Sequence, residues 1–223
     1  MIDRPDLSHV DTWLFDLDDT LYPAETALMD LIRNRITEFV MKITGLERDQ
    51  AYVIQKGWFD QHGAALPGLL AEHSVTATEF LTFVHDIPLD GVPEDLHLRT
   101  AIMRLPGRKL IFTNGAEHHA LRVIEKIGIA DLFEGVFHIE SAELLPKPHP
   151  NTYARMIGHF NLSPAHTAFF EDSERNLEHA AGLGMTTILV GAHAAMSTAD
   201  FIHHRTAQLT PFLMSARVKE FSL

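Results

Sequence analysis

A chain of 223 residues is long enough for one large domain, or for one domain carrying a smaller insertion. At that size roughly 70% of the unfolded chain's surface can be buried, so a core needs neither a disulfide nor a structural metal. The absence of cysteine excludes a disulfide framework and thiolate chemistry, and a net charge of −12 argues against general nucleic-acid binding. A small anionic substrate stays open, because a site can be locally positive or hold a divalent cation inside an acidic protein. The 15 histidines include the adjacent pairs His118-His119 and His203-His204. Adjacent residues do not share a helix face, so a histidine-based metal site is not expected.

In chain order, residues 1–6 are polar and lack the apolar stretch of a secretory signal. No apolar run approaches the roughly 18 residues of a membrane span, so the expected location is the cytoplasm, with no membrane partner. Residues 12–15 form the first short apolar run that reads as a buried parallel strand. A long, mostly helical stretch follows, with helices expected over 25–43, 49–61, 69–73, 78–84 and 95–105. The next strand is expected at 110–112, then a helix over 117–127 with Leu121, Ile124 and Ile127 on one face and Gly128 as its stop. Strands at 136–139, 168–170 and 187–190 alternate with helices over 152–160 and 174–183. Beyond residue 192 the pattern weakens; a short edge strand is expected at 199–203 and a last helix at 211–219.

Strand alternating with helix predicts right-handed βαβ units, hence an α/β fold with a doubly wound parallel sheet. The stretch after the first strand far exceeds a crossover helix. It reads as an inserted helical domain over 23–89, with 1–22 and 90–223 forming the core.

Ligands of open α/β sheets bind beyond the carboxyl ends of the strands. The first strand runs into Asp16-Leu17-Asp18-Asp19-Thr20. Asp16 and Asp18 point the same way in extended chain, and two carboxylates against an apolar strand repel unless a cation joins them. Hard oxygen ligands suit Mg²⁺; the same residues also make a good helix cap. The second strand ends in Thr113-Asn114-Gly115, where a hydroxyl and free N–H groups at a helix start can cradle an anion. Lys147 stands between Pro146 and Pro148, stiffened as a point charge for phosphate. Another strand ends in Glu171-Asp172-Ser173. Each feature alone has an ordinary turn or capping reading. Together, each at a strand end, they describe a phosphoryl-transfer site in which metal and lysine neutralise a phosphate and a carboxylate attacks it.

This pattern resembles the haloacid dehalogenase superfamily, whose four motifs are matched by Asp16-Leu17-Asp18-Asp19-Thr20, Thr113, Lys147 and Glu171-Asp172 over about 12–190. The resemblance implies a Rossmann-like core with a helical C1 cap and Mg²⁺ as cofactor. It implies Asp16 as nucleophile, Asp18 as acid and base, protonated on arrival, and Thr113, Asn114 and Lys147 on the phosphate. The metal would be held by Asp16, Asp18 and Asp172, with Glu171 behind them and Asn176 steadying the loop. An acid at position 18 fits phosphatases and not the dehalogenase branch. A further likeness, carried by Phe15 to Tyr22, 68–73, 83–88 and 170–177, is to the pyrimidine 5′-nucleotidase branch. It implies a small phosphorylated metabolite as partner, first a pyrimidine nucleoside 5′-monophosphate. Tyr22, His62, His73 and His85 are the candidates for touching it. A sugar-phosphate phosphatase, a phosphomutase, or a non-catalytic regulator on the same fold remain alternatives.

Overall fold

The structure is a computed structural model that describes residues 4–219. Its centre is a parallel sheet built from β2 (Thr12–Phe15), β3 (Arg108–Phe112), β4 (Gly135–Phe137), β5 (Thr167–Glu171), β6 (Thr186–Val190) and β7 (His204–Thr206), in the order β4-β3-β2-β5-β6-β7. A separate pair joins β1 (Asp6–Leu7) to β8 (Arg217–Val218). The central strands are short apolar runs because both their faces are buried. Trp13, Phe15, Ile111, Phe170 and Ile188 enter one core cluster, while Leu14, Leu110, Phe112, Phe169 and Leu189 enter the other.

Helices cover both faces, as the sequence predicts for a doubly wound sheet. The first cluster takes side chains from α5 (Leu96–Met103), α6 (Glu117–Ile127) and α9 (Leu209–Ser215). The second takes them from α7 (Pro150–Phe160) and α8 (Glu174–Gly182). From β2 the chain winds outward through β3 and β4, then returns to β5 on the other side of β2. The reversal lies between β2 and β5, where doubly wound sheets place their ligands.

The stretch between β2 and β3 is helical: α1 (Leu28–Thr44), α2 (Arg48–His62), α3 (Ala65–Glu72) and α4 (Ala77–His85) precede α5. Phe39, Trp58, Leu69, Phe80 and Val84 gather in a core of their own, which Ala116 and Ile139 extend from the loops beyond β3 and β4. Thr76 and Glu79 close a reciprocal capping box at the start of α4. Helix α3 begins four residues before the expected 69, because Pro67 falls in its first turn, where a missing N–H costs nothing.

The carboxyl-terminal part departs from expectation. The apolar run at 199–203 is not the edge strand: Ile202 is buried in the second cluster, and the strand is the polar His204–Thr206 beside it. The last helix covers Leu209–Ser215, and Arg217–Val218 pairs with the β1 strand instead of extending it. On α6, Leu121 is 48% exposed; the buried face runs through His119, Ala120, Val123, Ile124 and Ile127.

Candidate active site

Parallel pairing sets Phe15 beside Ile111 and beside Phe170, so the residues after β2, β3 and β5 open onto one crevice. Lys147, from the loop between β4 and α7, reaches into it. Its ammonium donates to Asp16 Oδ1 (2.7 Å), Glu171 Oε2 (2.7 Å) and the Phe112 carbonyl (2.8 Å), which uses all three protons. The side chain is 1% exposed. Burial would discharge it, but Asp16 and Glu171 outweigh that and push its pKa above the ordinary lysine range.

Asp16, Glu171 and Asp172 each place a carboxylate oxygen within 4.8 Å of the others. Burial, then the neighbouring Glu171, raises the pKa of both Asp16 and Asp172 well above the usual carboxylate range. Three carboxylates against one ammonium leave two negative charges in a buried space. A divalent cation would supply the missing two, and the all-oxygen donor set suits Mg²⁺. Glu171 is held from the protein side, by Lys147 and by the Ser173 N–H on Oε1 (3.1 Å). Asp16 shares the same ammonium through Oδ1.

Thr113 Oγ1 accepts the Gly115 N–H (2.9 Å), which leaves its own proton to donate outward. The Asn114 side chain has a task the sequence did not indicate. Its Oδ1 accepts the Lys147 N–H (2.7 Å) and its Nδ2 donates to the Lys147 carbonyl (3.2 Å), fixing the lysine loop. Asn176 is buried at the first turn of α8 and borders the crevice. Its backbone N–H donates to Ser173 O (3.0 Å), but its side chain makes no hydrogen bond to Asp172 among the described residues.

Asp18 corrects one expectation. Burial pushes its pKa up, as foreseen, but His119 beside it and the hydrogen bonds from His119 and Tyr22 outweigh burial and hold it below the usual carboxylate value. Tyr22 OH (2.5 Å) and His119 Nε2 (2.9 Å) both meet Oδ1. Asp18 is therefore ionised at rest, not protonated before substrate arrives. Asp19, the third acid of the motif, has φ +59° and faces Arg33 at 3.8 Å, and burial raises its pKa to about 6.

The four residues expected to contact substrate separate. Tyr22 is buried and spends its hydroxyl on Asp18. His73 packs edge-on against Trp58, and His62, half-buried at the end of α2, does not border the crevice. His85 does border it, with its ring stacked on His119 at 4.4 Å. Burial and His119 lower the His85 pKa to about 3, so it is neutral. His119 was missed. It stands on the inward face of α6, where a polar side chain must find a partner; assigning Leu121 to that face hid it.

Above the acids lies a cavity of 460 Å³. Its helical wall is mostly apolar, with Met29, Ile32, Ile36, Phe80 and Val84, while Tyr52 and Phe59 are half exposed at its edge. Gly63, at φ +85° after α2, sits so close to the lysine loop that a Cβ would lie 2.5 Å from the Lys147 carbonyl. Helix α2 therefore ends directly on the loop that carries the ammonium.

Comparison with known proteins gives one family match: the haloacid dehalogenase-like hydrolases, over residues 10–184. Phosphate metabolism protein 8 of Saccharomyces cerevisiae is 28% identical over 208 residues, covering 84% of this chain. The chain spans 65% of that relative's length. Among solved structures, a HAD phosphatase from Thermococcus onnurineus superposes with a TM-score of 0.59 at 16% identity, covering 94% of this chain and 100% of its own. The HAD-hydrolase YfnB from Bacillus subtilis, solved bound to magnesium, gives 0.59 at 16%, with 95% and 98% covered. L-2-haloacid dehalogenase from Xanthobacter autotrophicus gives 0.51 at 17%, with 95% and 90% covered. At these identities the superpositions establish the fold.

Proposed function

Because the chain belongs to the haloacid dehalogenase-like hydrolase family, we propose that it is a Mg²⁺-dependent phosphatase acting on a small phosphomonoester through an aspartyl-phosphate on Asp16. The observation that carries this is the buried set in which Lys147 grips Asp16 and Glu171 while Asp172 completes an acidic cluster. Asp16, Asp172 and the Asp18 backbone carbonyl would hold the ion, with Glu171 behind. When bound, Mg²⁺ neutralises the transferring phosphoryl group and the two charges that Lys147 leaves over.

An Asp16 carboxylate oxygen attacks phosphorus in line, and the bond from phosphorus to the leaving oxygen breaks. Thr113 and the Asn114 N–H bind the equatorial oxygens, and Lys147 keeps Asp16 oriented. The arriving phosphoryl anion raises the Asp18 pKa again, and Asp18 takes up a proton from solvent on Oδ2. Asp18 then gives its proton to the leaving alkoxide and later takes one from the water that hydrolyses the aspartyl-phosphate. An acid at position 18 supports phosphate-ester cleavage over carbon–halogen cleavage. Residues 23–89 act as a cap that excludes water and reads the leaving group.

The apolar and aromatic wall supports a leaving group with a flat apolar face, so a pyrimidine nucleoside 5′-monophosphate is the first candidate and a sugar phosphate the second. The expected location is the cytoplasm; among the described residues no helix is long and apolar enough to cross a membrane. The test is Mg²⁺-dependent phosphate release from UMP and CMP against AMP, GMP and sugar phosphates. Asp16→Asn is expected to abolish turnover with the fold intact, and retained activity refutes the nucleophile. Release from no ester in the panel favours a non-catalytic regulator.

A further inference from the structure

We propose that His119 is a positioning residue for Asp18: with Tyr22 it occupies Oδ1 and so presents Oδ2 alone to the leaving group. This rests on the phosphatase reading above. Tyr22 OH and His119 Nε2 reach the same oxygen, at 2.5 and 2.9 Å. Against a carboxylate, both must be donors. Oδ2 receives no hydrogen bond among the described residues. It opens toward the phosphate loop, since a Cβ at Gly115 would lie 3.2 Å from Thr113 Oγ1 and 3.6 Å from Asp18 Oδ2. A carboxylate that could rotate would offer either oxygen; one pinned through Oδ1 offers a single oxygen at a fixed place, which is what proton transfer to a bound group requires.

The histidine makes a poor structural residue where it stands. It is 0% exposed on the inward face of α6, where Val123 and Ile127 continue the row. Its Nδ1 is buried with no partner among the described residues. The bond to Asp18 is thus its only hydrogen bond, and an apolar side chain would spare the cost of the unpaired nitrogen. The ring is held in plane by its stack on His85, at 4.4 Å and 20°. His85 in turn is anchored where Arg122 of α6 donates to the carbonyls of His85 (2.9 Å) and Ile87 (3.0 Å). A buried residue whose one hydrogen bond among the described residues goes to the proposed general acid is best explained by that carboxylate.

The experiment compares two esters on the Mg²⁺-loaded full chain. One is p-nitrophenyl phosphate, whose phenolate leaves without a proton. The other is whichever alkyl monophosphate the panel above shows to be turned over fastest, whose alkoxide needs one. His119→Leu is expected to fold with thermal stability equal to or above wild type. It should lose about 100-fold or more in kcat on the alkyl ester and less than about 10-fold on p-nitrophenyl phosphate, given the usual size of general-acid catalysis. Tyr22→Phe should shift the two rates in the same sense, by less. His119→Gln, whose amide can donate from nearly the same point, should recover part of the alkyl-ester rate and serves as the test if the leucine variant does not fold. Equal losses on both esters, or no recovery by glutamine over leucine, overturn the positioning role while leaving the phosphatase reading in place. Wild-type protein that cleaves neither ester overturns both.

Discussion

Lys147→Met probes the site without any assumption about substrate. Methionine keeps length and apolar volume but removes three hydrogen bonds, of 2.7, 2.7 and 2.8 Å, from a position that is 1% exposed. It leaves Asp16, Glu171 and Asp172 within 4.8 Å of one another with no cation among them. Removing one partner of a buried ion pair typically costs about 3–5 kcal/mol, because the other charge stays buried and unmatched. For a protein of this size that corresponds to roughly 6–20 °C in Tm, at about 2–4 °C per kcal/mol.

The cost must depend on pH. In the variant the carboxylates escape by taking up protons. Their folded pKa values then lie above the unfolded ones, the native state binds more protons, and stability falls as pH rises above about 4. Urea unfolding in EDTA is therefore expected to show the full deficit at about pH 8 and less than half of it at about pH 5.5. Lys147→Met/Glu171→Gln, which deletes one of the stranded charges, should recover part of the loss at the higher pH only. A variant as stable as wild type at about pH 8, or one with the same deficit at both pH values, refutes the claim that these acids share one buried charge balance.

Three further outcomes are expected. In EDTA the wild-type Tm should fall between about pH 6 and pH 9, since Asp16 and Asp172 have raised pKa values in the fold and its proton-bound form is the favoured one; millimolar Mg²⁺ should restore more at the upper end than the lower, by differential scanning fluorimetry. Gly63→Ala, at φ +85° with a Cβ only 2.5 Å from the Lys147 carbonyl, should cost roughly 1–3 kcal/mol and lower kcat, read by urea unfolding and phosphate release. Gly68→Ala would set a Cβ 2.1 Å from Trp58 Cδ1, so it should disturb the Trp58–Glu72 hydrogen bond of 2.9 Å, shift the tryptophan emission and lower the denaturation midpoint.

The sheet and the strand-end acids were legible in the sequence because each is a local signal. A strand buried on both faces must be apolar throughout, and Trp13-Leu14-Phe15 is. Whatever follows it in an α/β sheet lies at the ligand edge, so Asp16, Thr113 and Glu171 could be placed with no knowledge of the partner strands. What was not legible is pairing between distant segments. The hydrogen bond from His119 to Asp18 spans 101 residues and exists because β2 and β3 are neighbours in the sheet. The two bonds between the Asn114 side chain and the Lys147 backbone depend in the same way on β3 and β4 being neighbours. The histidine's inward position was readable in principle, since 119, 123 and 127 share a helix face, but the exposed Leu121 drew the assignment away. The carboxyl-terminal edge misled for the opposite reason: Phe201 and Ile202 are apolar because they pack against the second core, not because they pair.

Asp16 and Asp18, two residues apart, are driven in opposite directions, and the order matters for the chemistry. Burial and Glu171 push Asp16, the proposed nucleophile, toward its protonated form, while His119 and Tyr22 hold Asp18, the proposed acid, toward its ionised form. At rest, then, each carboxylate favours the state opposite to the one it needs. Both inversions have the same remedy, which is the arrival of the reactants. Asp16 and Asp172 would hold a dication in place of the proton that the acidic cluster otherwise favours, and a phosphoryl anion beside Asp18 would supply the negative field that brings a proton back to it. Neither group alone reverses both. In the proposed mechanism the arrangement would tie a competent nucleophile to the metal and a competent acid to the substrate, so that the two become ready together in the ternary complex.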